Sequence, residues 1–205
     1  MVRRVDRRTV YLTAGAVEVF DAERKRDAEE LANGERRRGW LRLATSVGAP
    51  AARTTKLEAS APTTASVDAA RGLYVSTVEA AVRAARKERR WIDLWRMRRE
   101  QAAALYADAG SPVPPPEDIV ALQRDALLGV LRSFGAKAKV VELVSAGCCR
   151  ICRADDERVF RIVDELRTPR LPHEGCPKGI CGCDWWLTTP EPKRKRRRTK
   201  RSRPA

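Results

Sequence analysis

The sequence predicts a mainly α-helical protein with a helical hairpin, a small β-containing module on its C-terminal side, and disordered termini. Three observations lead to this prediction. Apolar residues recur at helical spacing between residues 66 and 135. All six cysteines and the single histidine lie between Cys148 and Cys183. Residues 193–203 include nine basic residues and no acidic or apolar residue, so we expect this tail to be disordered.

The N-terminal part of the chain divides into a charged segment and a linker. Residues 1–43 are predicted to be weakly helical, and Asn33 followed by Gly34 is typical of a helix C-terminus. Residues 44–65 are rich in Ala, Thr, Pro and Ser and lack periodicity, so we predict a flexible linker there. The apolar patch near the start is interrupted by Glu18, and we expect no secretory signal.

The helical body is predicted to span residues 66–146. Ser66 suits the N-cap of a long helix that runs to about Ala109. The stretch "GSPVPPP" then breaks the chain, and Pro116 before two acidic residues predicts the start of a second helix. That helix is expected to end near Gly135, and the two helices to form an antiparallel hairpin. We expect "KAKVVELVSAG" to form a third short helix that leads to the cysteines.

Basic residues and tryptophans are concentrated in residues 83–100, which contain eight basic and three acidic side chains. One interpretation is a solvated face, with Trp91 and Trp95 covering the core. The other is a basic, tryptophan-bearing helix that lies on nucleic acid or on a partner helix. Nearer the C-terminus, we expect one of Trp185 and Trp186 to be a core residue, while the other could stack on a base.

The cysteine-rich module, residues 147–189, has few large apolar side chains, and a segment of this size rarely folds alone. A bound metal can supply the missing stability, because its binding energy is realised only in the folded state. Cys149 and Cys152 form a C-x2-C pair, and Cys176 and Cys181 form a second pair. Four thiolates suit a tetrahedral Zn²⁺ better than Mg²⁺ or Ca²⁺. We therefore predict a zinc-stabilised module with one Zn²⁺ per chain, held by these four cysteines.

The module offers more ligands than one zinc ion needs. His173 or Cys183 could replace a member of the second pair, and Cys148 is a further alternate. The seven candidates could also fill two zinc ions that share one bridging thiolate. A cluster of free or redox-active thiols is another interpretation, although the βαβ context of a thioredoxin-type C-x-x-C motif is absent.

The order "CRICRADDERVF…LPHEGC…CGC" resembles the C-terminal motif of phage Mu F-like head morphogenesis proteins, also called minor capsid proteins. That family shows C-x-x-C, a short turn, a Val-Phe-like strand, a proline-rich stretch and H-x-x-C-R-C. The insertion "PKGI" displaces the final C-x-C of this chain. The resemblance covers about forty residues, and it implies a zinc site and a role in the virion or in head assembly. The matching positions are Cys149, Cys152, Val159, Phe160, Pro172, His173 and Cys176.

The sequence lacks the patterns of several common enzyme classes. Its one histidine lies at the predicted zinc site, which leaves no spare general base of the kind that HNH-type nucleases use. Glu174 directly follows His173, so the H-x-E signature of zinc deaminases is absent. There is no Walker loop, G-x-G-x-x-G or G-x-S-x-G motif. We predict a binding or scaffold protein, and keep a zinc- or thiol-dependent enzyme as the last alternative.

The basic tail predicts nucleic acid as the partner, because lysines and arginines on phosphates release counterions whatever the base sequence. A phage-type minor head protein and a zinc-finger-like regulator or accessory factor on DNA or RNA are the two forms of this prediction. A solubilising tail, or contact with an acidic protein, would explain the same charge. No run of 18 apolar residues predicts a membrane span, and we expect a cytoplasmic or virion-associated location. The predicted nucleic-acid contacts are Lys193, Arg194, Lys195, Arg196, Arg197, Arg198, Lys200, Arg201 and Arg203.

Overall fold

The computed structural model describes residues 14–135, 138–145, 147, 149–173 and 175–188, with the side chains of all but the first seven of these. The predicted fold class is confirmed. The described part of the chain is mainly helical and carries one small three-stranded sheet and a buried cluster of cysteines with a histidine. None of the described helices is both long and apolar enough to cross a membrane.

The chain divides into two compact units, Met1–Ala81 and Val82–Ala205, and the division falls within the third helix. The helices in the described ranges are α1 (Ala14–Ser46), α2 (Ala51–Glu58), α3 (Thr64–Lys87), α4 (Trp91–Asp108), α5 (Glu117–Ser133), α6 (Arg150–Ala154) and α7 (Ile162–Arg167). The strands are β1 (Val140–Val144), β2 (Val159–Arg161) and β3 (Asp184–Leu187).

Helix α1 is longer than predicted. It continues through Asn33 and Gly34, so the helix end predicted at this pair is wrong. Farther along α1, Trp40 is buried, and its ring packs against that of Tyr74 on α3 with 5.4 Å between centroids. Burying a large aromatic side chain stabilises the fold by more than the roughly 1 kcal/mol that a glycine costs inside a helix. Tertiary packing therefore outweighs the local stop signal.

Helix α2 lies within the segment predicted to be a flexible linker. It begins directly after Pro50, whose φ of −59° matches the first turn of a helix. The hydroxyl of Thr54 donates to the carbonyl oxygen of Ala51 at 2.8 Å. No residue of α2 is buried. The helix therefore lacks the apolar face that produces a helical period in a sequence.

The long helix predicted to run to about Ala109 is interrupted, and forms α3 and α4. Helix α3 ends in a Schellman motif, in which the N–H of Arg90 donates to the carbonyl oxygen of Ala85 at 2.8 Å. In the same motif, the N–H of Arg89 donates to the carbonyl oxygen of Arg86 at 3.3 Å. Arg89 has a φ of 57°, the left-handed conformation that glycine usually adopts at this position. The break carries no glycine and was therefore missed.

Helices α4 and α5 form the predicted antiparallel hairpin. Gly110, with a φ of 78°, follows the end of α4, and Pro116 is the N-cap of α5. Gly135, with a φ of 73°, follows the end of α5 as predicted. The first turn of α4 lies against Gly129 near the end of α5, where an added Cβ would be 3.2 Å from the carbonyl oxygen of Trp91. Glycine thus permits the close approach of the two helices.

The segment predicted as a third short helix contains strand β1, so that prediction is wrong. The sheet order is β2-β1-β3, and both neighbours run antiparallel to β1. Val141 and Leu143 are fully buried, whereas Val140, Glu142 and Val144 are only partly buried. This alternation has the period of a strand, and β-branched valines favour an extended backbone.

One apolar core joins α5 to the cysteine module. Leu131 of α5, Leu143 of β1 and Trp185 of β3 belong to a single cluster of buried residues, together with Leu171 from the loop before β3. All five described cysteines belong to the same cluster. The ligands of the candidate site are therefore anchored on one side by a regular helix and on the other by a sheet.

Candidate metal centre

The first candidate ligands of the site lie at the short helix α6: Cys149 directly precedes this helix, and Cys152 lies within it. Cys149 is the N-cap of α6, and the backbone N–H of Cys152 donates to its Sγ at 3.3 Å. Asp156, which follows α6, holds this segment close to the end of β1, since its Oδ1 accepts the N–H of Ser145 at 2.7 Å. The C-x-x-C pair therefore forms a knuckle that faces the core, with the Cys152 side chain fully buried.

The remaining ligands come from the loop between α7 and β3. His173, Cys176, Cys181 and Cys183 are all buried on this loop. A turn separates the second and third of them: the N–H of Gly179 donates to the carbonyl oxygen of Cys176 at 3.1 Å, and Gly179 has a φ of 70°. The "PKGI" insertion noted in the sequence makes this turn. Cys176 lies before the turn and Cys181 directly after it.

Four of these side chains form a group that could hold a metal ion. The ligand atoms of Cys152, His173, Cys181 and Cys183 all lie within 4.8 Å of one another, and all four residues are buried. His173 Nδ1 is 3.7 Å from Cys181 Sγ. Around a tetrahedral zinc ion, two sulfur ligands would be about 3.8 Å apart and a sulfur and a nitrogen about 3.5 Å apart. The distance of 3.7 Å between His173 Nδ1 and Cys181 Sγ is close to this spacing.

The histidine of this group is held by a carboxylate. His173 Nε2 lies 3.3 Å from Oδ2 of Asp155, on the side of the ring opposite the thiols. When Nε2 carries the proton and donates it to Asp155, Nδ1 presents its lone pair to the cluster. A carboxylate behind a histidine ligand is common in zinc sites, where it fixes the tautomer and the ring orientation.

A second group of possible ligands shares one residue with the first. The Sγ atoms of Cys149, Cys152 and Cys176 lie within 4.8 Å of one another and are buried. The set predicted from the sequence, Cys149, Cys152, Cys176 and Cys181, is thus divided between the two groups. The alternates His173 and Cys183 belong to the first group. The last alternate, Cys148, lies outside the described residues.

The pKa of one thiol in each group is shifted, and the two shifts have opposite directions. The backbone N–H of Cys152, with its side chain as a further contribution, lowers the pKa of Cys149. Burial raises the pKa of Cys181, with smaller opposing contributions from backbone hydrogen bonds. A buried thiolate is costly unless a positive charge lies beside it. A cation in the first group would offset the cost at Cys181.

At least four of the eight basic residues at positions 83–100 form ion pairs with carboxylates of this chain. Arg86 donates to both oxygens of Asp125 at 2.9 Å, and the buried Arg98 donates to Oδ2 of the same residue at 2.8 Å. Arg99 pairs with Asp184 at 2.8 Å, and its guanidinium lies 5.2 Å from the ring centroid of Trp95. These contacts favour the interpretation of this stretch as a solvated face over that of a nucleic-acid surface.

The expectation that one of Trp185 and Trp186 is a core residue is confirmed. Trp185 is 2% exposed and packs edge-on against Phe160 with 5.9 Å between ring centroids, whereas Trp186 is 65% exposed. The tail residues predicted to contact nucleic acid lie outside the described residues. Asp155 is the site residue that sequence reasoning missed. It stands 18 positions from His173, and no spacing rule links them.

Comparison with protein-family models, with curated proteins and with solved structures finds no match to this chain. The resemblance to phage Mu F-like head morphogenesis proteins stays a prediction. The matching positions Cys149, Cys152, His173 and Cys176 all lie in the two groups.

Proposed function

We propose that this protein is a non-catalytic, zinc-containing binding protein that associates with nucleic acid. The proposal depends above all on one observation, the buried group of Cys152, His173, Cys181 and Cys183 with Asp155 behind the histidine. Three thiolates and an imidazole are ligands that favour zinc over hard cations such as Mg²⁺ and Ca²⁺.

The zinc is proposed to be structural. A zinc ion with four protein ligands has no open position for water or substrate, and it contributes stability in place of a large apolar core. The elements around the site are short, since β2 spans Val159–Arg161 and β3 spans Asp184–Leu187. His173 would serve as a ligand, and its second nitrogen is already next to Asp155. It is therefore poorly suited to act as a general base.

Nucleic acid is proposed as the partner because of the charge distribution. Residues 193–203 supply nine of the fifteen net positive charges of the chain. Contacts of such a segment with phosphates are independent of base sequence and weaken as salt rises. Arg86, Arg98 and Arg99 are poorer candidates, because each already pairs with a carboxylate. The exposed ring of Trp186 adds a surface on which a base could stack.

The resemblance favours one setting for this activity, a phage-type minor head or assembly protein that tethers nucleic acid within a protein assembly. A zinc-finger-like regulator or accessory factor on DNA or RNA is the second setting. Purification of the full chain at low salt would separate them. A capsid or portal protein that co-purifies would support the first, and nucleic acid alone would support the second.

Deletion of residues 192–205 tests the nucleic-acid part of the proposal. The full chain and the truncated chain would be measured on the same duplex DNA at several salt concentrations. The slope of log affinity against log salt is about −0.9 per neutralised phosphate, so losing half of nine contacts should change it by about four units. A full-length variant with the nine basic residues replaced by glutamine is the matched control, and it should behave like the truncation.

Zinc content should be the same in the full chain and in the truncated chain, because the deleted residues lie beyond all the ligands. If the salt dependence of DNA affinity is the same for the two proteins, the tail is not the segment that binds nucleic acid. Absence of DNA and RNA binding at low salt would contradict the proposed partner altogether, and would favour an acidic protein instead.

A further inference from the structure

Cys152 is the feature from which a further inference follows, because it belongs to both groups of possible ligands. Its Sγ lies within 4.8 Å of the ligand atoms of His173, Cys181 and Cys183, and also within 4.8 Å of the Sγ atoms of Cys149 and Cys176. The two groups have no other residue in common. One side chain therefore stands between two separate sets of buried ligands.

We propose that the centre is binuclear, with two zinc ions bridged by the thiolate of Cys152. The first ion would be bound by Cys152, His173, Cys181 and Cys183. The second would be bound by Cys152, Cys149 and Cys176, and a water molecule would fill its fourth position. This inference rests on the proposed function, in which the first group binds zinc, and extends it to a second ion at the same centre.

The chemistry of sulfur permits the bridge. A thiolate has more than one lone pair, so Cys152 can bind two ions at once, whereas the imidazole nitrogen of His173 can bind only one. A zinc–sulfur bond is about 2.3 Å long, which places two sulfur ligands of one ion about 3.8 Å apart. The ligand atoms of each group lie no more than 4.8 Å apart. Small movements of the side chains would bring them to the spacing that zinc requires. No ligand has to change its place on the fold.

The placement of the other two cysteines favours a second ion. A single divalent ion in the first group would leave Cys149 and Cys176 as two buried thiols beside the bridging sulfur. Core cysteines do occur as small apolar residues. Here, however, the Sγ atoms of Cys149 and Cys176 lie within 4.8 Å of each other and of Cys152 Sγ. Sulfur atoms gathered in this way are the ligands that a zinc ion prefers.

The two chain turns of the site divide the ligands in the way that a binuclear centre requires. The C-x-x-C knuckle places Cys149 in the second group and gives Cys152 to both. The turn at Gly179 separates Cys176, in the second group, from Cys181, in the first. Cys149 and Cys176 thus share Cys152 with a group to which neither of them belongs.

Metal stoichiometry of the full chain is the first test. Protein purified without chelator should contain about two zinc ions per chain by elemental analysis, and the metal-free protein should take up two equivalents of Co²⁺ with thiolate-to-metal absorption for both. One ion per chain would overturn the binuclear centre and leave the proposed function standing. Absence of bound metal would overturn both.

The bridge has its own spectroscopic signature. Full-length protein loaded with ¹¹³Cd should give two cadmium resonances, each split by the other through the shared sulfur of Cys152. This measurement uses the native sequence, so it does not depend on any variant that fails to fold. Two resonances without mutual splitting would contradict a bridge, and a single resonance would contradict a second ion.

Substitutions would then assign the ions to their ligands. Cys176→Ser should remove one of two ions and the cadmium splitting, while the ion at His173 stays. Cys183→Ser should weaken the other ion instead. Asp184→Asn is the matched control, because Asp184 adjoins Cys183 in the chain and pairs with Arg99 rather than with either group. It should keep both ions. Full retention of both ions in Cys176→Ser would overturn the assignment.

Discussion

At the scale of single residues, Asp155 decides how well His173 can serve as a ligand. The carboxylate lies 3.3 Å from Nε2 and also pairs with Arg158, so it is held in place on both sides. Asp155→Asn should lower zinc affinity by roughly 10-fold or more, since substitutions behind a metal-bound histidine typically cost 10- to 100-fold. Competition with a chromophoric chelator would measure this affinity.

The control for that prediction is Asp164→Asn. Asp164 pairs with two exposed arginines, Arg161 and Arg167, so zinc affinity should stay unchanged. If Asp155→Asn also leaves the affinity unchanged, His173 is not a ligand oriented by Asp155.

Gly179 is the residue that ties the ligand loop to α4. It has a φ of 70°, and an added Cβ would lie 1.9 Å from the hydroxyl oxygen of Tyr106, which itself donates to the carbonyl of Ser111 at 3.1 Å. Gly175 has the same φ, but an added Cβ there would meet only Ile151, at 3.8 Å. Substituting both glycines by alanine therefore separates two causes of lost stability: the left-handed backbone, which both share, and the clash with Tyr106, which only Gly179 has.

Gly179→Ala should destabilise the protein more than Gly175→Ala. Both variants pay about 1–2 kcal/mol for a left-handed alanine, and Gly179→Ala should lose about 1–3 kcal/mol more because Tyr106 must move. Urea unfolding followed by circular dichroism would compare the two. Equal losses would show that Tyr106 does not lie over the loop in solution.

At this scale the sequence predicts which residue types cluster, but not how they are grouped. Cysteines confined to one segment and C-x-x-C spacing predict a metal site from chemistry alone. Whether Cys176 faces the same ion as Cys181 depends on the turn at Gly179, and that turn depends on contact with Tyr106, more than seventy positions away. Such a contact leaves no trace in local spacing.

At the scale of elements, the hairpin of α4 and α5 depends on a buried ion pair. Arg98 is 7% exposed, and it donates to Asp125 at 2.8 Å and to Gln101 at 2.7 Å. Asp125→Asn should destabilise the hairpin by about 3 kcal/mol, because a buried guanidinium would lose its counter-charge. Denaturant unfolding monitored by helical circular dichroism would measure the loss.

Asp93→Asn is the matched control on the same hairpin. Asp93 pairs with Arg90, and both side chains are close to half exposed, so solvent already screens the pair. Its effect should be much smaller than that of Asp125→Asn. Similar effects from the two changes would mean that the Arg98–Asp125 pair is not buried.

Elements with strong local signals were predictable, and those fixed by packing were not. Helix α5 has a proline and two acidic residues at its start, an apolar face and a glycine after its end, and its predicted limits are confirmed. The helix predicted at strand β1 is wrong, because the period of the strand becomes visible only in the burial of Val141 and Leu143. The break after α3 depends on Arg89 in a conformation that arginine seldom adopts.

At the scale of the whole molecule, the cysteine module is built into the second unit rather than appended to it. The buried cysteines share one apolar core with Leu131 of α5 and Leu143 of β1. Free energy from metal binding would therefore stabilise the hairpin as well as the ligand loop. The basic tail follows the last described strand, and in the proposed function it binds nucleic acid while the folded unit holds the metal.

X-ray absorption at the zinc edge, on full-length protein purified without chelator, tests the central claim most directly. We predict bound zinc with a shell dominated by sulfur at about 2.3 Å and a smaller nitrogen contribution at about 2.0 Å. The nitrogen contribution should vanish in a His173→Cys variant that still binds zinc. A shell of oxygen and nitrogen alone, or protein that contains no zinc, would contradict the account.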